Sequence, residues 1–395
     1  MMISERVKQV APSQTLELNK KVAEGRAEGR NIIALNSGEP DFNTPAPIIE
    51  AAHRAMLDGK TKYTEARGTL ALREAIASKL KNDNRIAYTP DDVIVTTGAK
   101  FALFAGLLAL CNPGDEVIVS KPCWVSYVEM IRLAEAVPVT VPVNSDWSLD
   151  TDAIEAAVTA KTRVIIINSP NNPTGAVYSE DSLRRVADIV ERHNLFLISD
   201  EVYEKLKYTD KPHVSLAAFS EDIKKRTLTV NGFSKTYAMT GWRVGYAAGP
   251  RDVIRSMSTI QSHATSNVAT FSQWAAIEAF RSCDVHVEYM RKTFEERRDY
   301  AYGRLQRLPG VHCTLPEGAF YLFPDVSGLF GKSDNGRVIV DAPAFAEYLL
   351  DTADVALVPG NAFESPEGIR LSYAVSMETL IDAMDRIEAA VYRLK

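Results

Sequence analysis

The stretch NGFSKTYAMTGWRVG, residues 231–245, sets Lys235 behind a strand-like run and among small residues, with Arg243 eight positions further on. A lysine kept from water at such a strand end loses part of its basicity, and its neutral amine is a nucleophile for a carbonyl carbon. Arg243 offers a bidentate cation for a phosphate or carboxylate, and Ser234 adds a hydroxyl to the same anion. Three further stretches carry polar residues that a bare scaffold does not need. SDEVY (199–203) follows the apolar run LFLI, so Asp200 ends a buried segment. It either caps a helix or meets a positive partner, because an uncompensated buried carboxylate is costly; Tyr203 can face the same pocket. NSPNNPTG (168–175) holds Asn172 before Pro173 and so biases it towards an extended backbone. That stretch is either a plain turn or one that aims the Asn172 amide at a ligand. TTGAK (96–100) opens a helix at Gly98, Ala99 and Lys100. Free N–H groups and the helix dipole suit a phosphate there, beside the alternative of an ordinary strand-to-helix turn.

One ligand accounts for these features together. Pyridoxal 5′-phosphate brings an aldehyde for Lys235, a pyridinium nitrogen for Asp200 and a phenolic oxygen for Asn172 and Tyr203. Its phosphate suits the turn at 98–100 with Ser234 and Arg243. A lysine Schiff base with an acidic partner at the ring nitrogen is the pattern this cofactor demands.

The elements that must position these groups alternate in type. Helical patterns over 46–58, 69–82, 99–110 and 179–193 are interleaved with apolar runs at 91–98, 117–120, 162–170, 194–201, 226–235 and 243–250. The alternation predicts an α/β unit with a mainly parallel sheet covered on both faces, binding its ligand at the C-terminal ends of the strands. Beyond a long helical stretch, roughly 252–308, VHCTLPEGAFYLFPDV, a helix near 342–353, VALVPG and GIRLSYAVS predict a smaller α+β domain. The expected division is 1–45 packing with that small domain, 46–290 as the large domain and 291–395 as the small one.

With those residues in place, the chain resembles a class I pyridoxal-phosphate aminotransferase of fold type I, from SGEPDFNTP (37–45) to GIRLSYA (368–374). PNNPTG, SDEVY, SK with AMTGWRVG, and IRLSYA carry the resemblance in this order and spacing. It implies a large domain built on a mainly parallel seven-stranded sheet. It makes Lys235 the Schiff-base lysine and proton carrier of a ping-pong reaction, and Asp200 the keeper of the pyridinium charge. Trp124, in KPCWVSY, matches the aromatic that stacks on the ring. Arg370 matches the clamp for the substrate α-carboxylate, with Asn172 and Gly38 beside it. Tyr63, in TKYTEARG, matches a tyrosine reaching the phosphate of a neighbouring subunit, which implies a homodimer with shared sites. Two departures, Cys123 where relatives carry an aromatic and Arg67 where they carry small or apolar residues, bear on the substrate side.

The resemblance is nearest to the branch handling aspartate, glutamate and prephenate, with 2-oxoglutarate as acceptor. Lys100, helped by Arg67, is expected to neutralise the distal carboxylate of a dicarboxylic substrate, unless it is a solvated helix residue; Thr64, which matches a threonine of some members of that branch, is expected beside the substrate. An aminotransferase of aromatic or basic amino acids, or a lyase on the same fold, is the alternative. His263 is expected to be a structural histidine. The formal charge of −6 gives no basic footprint for nucleic acid, and a transcription regulator would need a DNA-binding module ahead of the core. No GxGxxG turn suggests a hydride-transferring enzyme. No apolar run reaches membrane-spanning length. The amino-terminal residues lack a secretory pattern. Four scattered cysteines suggest neither a metal site nor a disulfide framework; a reducing cytoplasm is the expected location.

Overall fold

The computed structural model describes residues 3–12 and 14–395. Seven strands form one central sheet: β1 (Val93–Thr96), β2 (Glu116–Lys121), β3 (Val137–Pro142), β4 (Thr162–Asn168), β5 (Phe196–Asp200), β6 (Thr227–Gly232) and β7 (Gly245–Ala248). Their spatial order is β1-β7-β6-β5-β4-β2-β3. β7 runs antiparallel to both of its neighbours, and every other pairing is parallel. Parallel strands require covered faces, and the sequence supplies them. In β4, Val164 and Ile166 pack with the helix Gly98–Leu110, whereas Ile165 and Ile167 pack with the helix Glu180–Arg192. Each such fully buried side chain stabilises the fold by roughly 1.5–3 kcal/mol relative to an exposed one, which holds this run as a central strand.

β3 and the helix Val125–Leu133 stand out weakly in the sequence. VPVTVP carries Pro138 and Pro142, which cannot donate to a ladder, and β3 accordingly lies at the sheet edge against β2 alone. The long helical stretch expected over 252–308 is three helices, Arg251–Ala264, Thr270–Ser282 and Asp284–Leu305. Ser266 at φ +60° and Cys283 interrupt it.

The last of these helices joins two cores: Val287 packs with the sheet side, and Met290 and Phe294 pack with the C-terminal unit. A boundary drawn at residue 290 therefore falls inside one continuous helix. The C-terminal unit combines a three-stranded antiparallel sheet (Val358–Pro359, Ile369–Ser372, Tyr321–Leu322) with the helices Ala342–Ala353 and Met377–Val391. The short strand Ile33–Ala34 pairs in parallel with Val355–Ala356, and Arg30 bonds Asp354 at 2.9 Å. The N-terminal segment is thereby tied to this unit.

Candidate active site

The C-terminal ends of β4, β5 and β6 and the start of the helix Gly98–Leu110 open into a cavity of about 610 Å³. That helix approaches β7 so closely that a Cβ on Gly245 would lie 2.3 Å from the Ala99 nitrogen, so only glycine permits the contact. At Gly98 (φ +75°) a Cβ would meet the Arg243 guanidinium at 2.4 Å. The helix start and Arg243 thus form one cradle. Arg243 donates to the Thr240 carbonyl at 2.8 Å, and Ala99, Lys100 and Ser234 line the cavity beside it.

Asp200 ends β5 and is 3% exposed. Its carboxylate accepts from the Tyr127 hydroxyl at 2.6 Å and from the Val202 N–H at 3.3 Å. Burial raises this carboxyl from 3.8 to about 6, against the pull of those two donors and of Lys235. It caps no helix. The expected cationic partner is replaced within the chain by a phenol, leaving the carboxylate available for a cation in the cavity. Lys235 follows β6, and its ammonium donates to the Gly38 carbonyl. Burial depresses it from 10.5 to about 8; Glu39 opposes the shift, while Arg370, Arg243 and Lys100 add to it.

On the other side, Arg370 is 3% exposed and donates to Asn172 Oδ1 at 3.0 Å and to the Asn36 carbonyl at 2.9 Å. Its ring neighbours are Tyr321 at 4.6 Å and Phe363 at 4.9 Å. Among the described residues its Nε has no hydrogen-bond partner. A buried cation without an anion is costly, so the site is built to receive one. Tyr203 shares a 2.9 Å hydrogen bond with the Tyr321 hydroxyl, which also approaches Gly38. Trp124 faces the cavity, edge-on to Tyr127 at 5.4 Å. Lys100 lies 5.0 Å over the Trp124 ring and is lowered by burial and by Arg243. Cys123 lines the same wall, its thiol pushed up to about 12 by burial.

Not every expected residue lines this cavity. Tyr63, expected at a neighbouring subunit's phosphate, is 90% exposed and does not line this chain's own cavity. Arg67 does not line this chain's own cavity; its guanidinium pairs with Glu65 and Asp91, each at 3.2 Å. Thr64 bonds the Glu65 carbonyl and Gln273 instead of facing the cavity. His263 is exposed near the end of its helix rather than satisfied in the core. Conversely, three participants escape a reading of the sequence. Tyr127 lies one helical turn beyond Trp124, and that i, i+3 spacing is the one signal for it. Tyr321 comes from the distant C-terminal unit. Asn168 stands in an already suspect stretch; it donates to the Asp200 carbonyl at 3.0 Å and accepts from the Asn172 N–H at 2.9 Å.

These groups fit pyridoxal 5′-phosphate. An anion cradle, a carboxylate short of a cation and an amine of lowered basicity line one cavity beside a half-buried indole, opposite a guanidinium without an acidic partner among the described residues. Comparison with known proteins agrees. The family described as "Aminotransferase class I and II" matches residues 30–387. The chain is 45% identical to an aspartate aminotransferase of Bacillus sp. (strain YM-2), covering 99% of each chain. It is 44% identical to a probable aspartate/prephenate aminotransferase of Aquifex aeolicus, covering 98% of each. Among solved structures, an aspartate aminotransferase from Rhizobium meliloti superposes with a TM-score of 0.97 at 40% identity over 100% of both chains. One from Thermus thermophilus with maleate does so with 0.93 at 41% over 99% of this chain and 100% of that one. A family match across most of the chain, together with end-to-end relatives and a cavity equipped for the family's cofactor, leads to one conclusion: the chain belongs to the class I and II aminotransferases and works with pyridoxal 5′-phosphate.

Proposed function

We propose that the chain moves the amino group of L-aspartate to a 2-oxo acid such as 2-oxoglutarate, with glutamate as a second donor and prephenate as a further acceptor. The observation that carries this reading is Arg370, a buried guanidinium open to the cavity, with no acidic partner among the described residues. With Asn172 it grips the α-carboxylate. Lys100, over Trp124 in the same cavity, is a second cation for a second carboxylate. The names of the relatives, and the dicarboxylate maleate in one of the solved structures, support that pairing.

Pyridoxal 5′-phosphate, when bound, supplies a carbonyl carbon for the amino group and a ring that withdraws electrons from the substrate Cα. The residues divide the remaining work. Gly98, Ala99, Lys100, Ser234 and Arg243 receive the phosphate, where backbone N–H groups and the guanidinium offset its charge. Asp200, held by Tyr127, would keep a proton on the ring nitrogen, Asn172 and Tyr203 would bond the phenolic oxygen, and Trp124 would cover the ring. Lys235 Nζ would hold the cofactor through its carbonyl carbon, and its free amine would serve as the base that carries the substrate Cα proton. Its depressed pKa leaves an appreciable neutral fraction near pH 8.

A cytoplasmic homodimer belongs to the same reading. The 90% exposure of Tyr63 leaves its phenol free for a second copy's phosphate and so supports the dimer, and no helix among the described residues is long and apolar enough to cross a membrane. The division into 1–45 with 291–395 against 46–290 also belongs to it, supported by the strand pairing of Ile33–Ala34 with Val355–Ala356. Measuring glutamate formed from 2-oxoglutarate with one amino donor at a time tests the activity. Aspartate should exceed alanine and phenylalanine at least tenfold in kcat/KM; no glutamate from any donor defeats the reading.

A further inference from the structure

We propose that Glu201 is a positioning residue for the reaction, setting Asp200 and Tyr203 from the opposite face of the sheet. The inference rests on the proposed roles of those two residues. Successive side chains at a strand end point to opposite faces. Asp200 and Tyr203 line the cavity, whereas Glu201 and Glu204 turn beneath the sheet, 1% and 7% exposed. The Glu201 carboxylate collects four partners there: Ser199 Oγ at 2.9 Å, Ser215 Oγ at 2.6 Å, Asn84 Nδ2 at 3.2 Å and His213 Nε2 at 2.9 Å. Glu204 takes Asn84 Nδ2 at 2.7 Å and forms an ion pair with the Lys79 ammonium. Glu201, Glu204 and His213 are grouped closely enough to hold a metal ion. Lys79 already supplies the cation, and its other bond, to Asn84 Oδ1 at 2.7 Å, fixes it there.

Strand continuity alone does not require this arrangement. The Glu201 N–H already pairs with the Val230 carbonyl at 2.8 Å, and the Asp200 carbonyl with Asn168 and Ser169. What the buried network adds is a hold on the bend after β5. In that bend the Val202 N–H reaches back to Asp200 Oδ1, and the Glu204 N–H donates to the Glu201 carbonyl at 3.0 Å. Two cavity side chains above and two anchored carboxylates below share one short turn. Lys79 and Asn84 bring the helix Leu70–Asp83 into the same anchor, and His213 and Ser215 bring in the loop beyond Tyr208. Removing the anchor lets the turn relax and shifts the Asp200 carboxylate relative to the ring nitrogen. A displacement of about 1 Å costs on the order of a hundredfold in rate.

The test compares Glu201→Ala and Glu201→Gln holoenzymes. Glutamine can keep its oxygen towards Asn84, Ser215 and His213 while its amide donates to Ser199, so it preserves the anchor without the charge. Glu201→Ala should lose roughly ten- to a hundredfold in kcat, with the aspartate KM within about threefold. The pH midpoint of the bound cofactor's absorbance should move by at least about half a unit. Glu201→Gln should recover kcat to within about threefold and keep the wild-type midpoint. A Glu201→Ala enzyme with wild-type kcat and midpoint, or a glutamine variant as impaired as alanine, overturns the proposal. Should Glu201→Ala fail to fold, Ser215→Ala removes the shortest bond. It should lower kcat roughly three- to tenfold and move the midpoint in the same direction, and no change in either overturns the proposal. A wild-type enzyme without transamination would instead refute the proposed function, leaving the absorbance midpoints to judge Glu201.

Discussion

Replacing Asp200 by asparagine should stabilise the cofactor-free protein while disabling the enzyme, two effects of opposite sign from one substitution. Burial lifts the Asp200 carboxyl from 3.8 to about 6 even though Tyr127 and Val202 both donate to it. Folding the ionised form therefore costs about 3 kcal/mol at pH 7 and about 1.5 kcal/mol at pH 5. The sign follows from the raised folded value: the penalty is complete above about pH 6 and disappears below 3.8, so wild-type stability rises as pH falls through that window. Asparagine is nearly isosteric and carries no charge, so its variant lacks this dependence. Urea denaturation of both cofactor-free proteins should show the variant more stable by up to about 3 kcal/mol at pH 7, with the gap roughly halved at pH 5. Transamination by the loaded variant should fall at least a hundredfold, since a ring-nitrogen proton without its carboxylate is poorly held. A variant less stable than wild type at pH 7, or a gap that does not narrow at pH 5, refutes the assignment of Asp200 as a carboxylate buried without its cation.

Tyr127→Phe removes the 2.6 Å donor that holds the Asp200 carboxyl down. Loss of a hydrogen bond to a charged group is worth about 1.5–3 kcal/mol, so the pH below which cofactor affinity falls should move up by about one unit or more; an unmoved profile would remove Tyr127 from the site. Lys100→Ala should lower kcat/KM for aspartate by roughly tenfold to a hundredfold while leaving alanine and phenylalanine nearly unchanged, and equal losses for all three donors would show that Lys100 reads no distal carboxylate. Tyr63→Ala should weaken cofactor binding only where two copies associate. Co-assembly with a Lys235→Ala chain, followed by cofactor titration of the mixed dimer, checks this, and an effect confined to the mutated copy's own site would exclude the shared arrangement.

Much of the chemistry can be read along the chain because each reactive residue carries its local context with it. Asp200 ends an apolar run, Asn172 stands before a proline, Gly98 and Ala99 open a helix, and Lys235 follows a strand among small residues. Period and punctuation likewise reveal the alternating α/β unit and its strand ends. What escapes is set by contacts between distant segments. The edge strand Val137–Pro142 is masked by its prolines. Arg67 reads as a cation of this chain's own cavity until the fold brings Asp91 within 3.2 Å, and Tyr321 has no local mark of function until the C-terminal unit sets it against Tyr203 and Arg370. The sequence by itself therefore determined which chemical groups exist and which strand ends present them, because side-chain type and backbone period are local properties. Only the tertiary structure decided which cations are left without anions, which carboxylate is buried against a phenol, and which acid beneath the sheet anchors the turn above it. Desolvation and pairing depend on neighbours that the chain brings together from hundreds of residues apart.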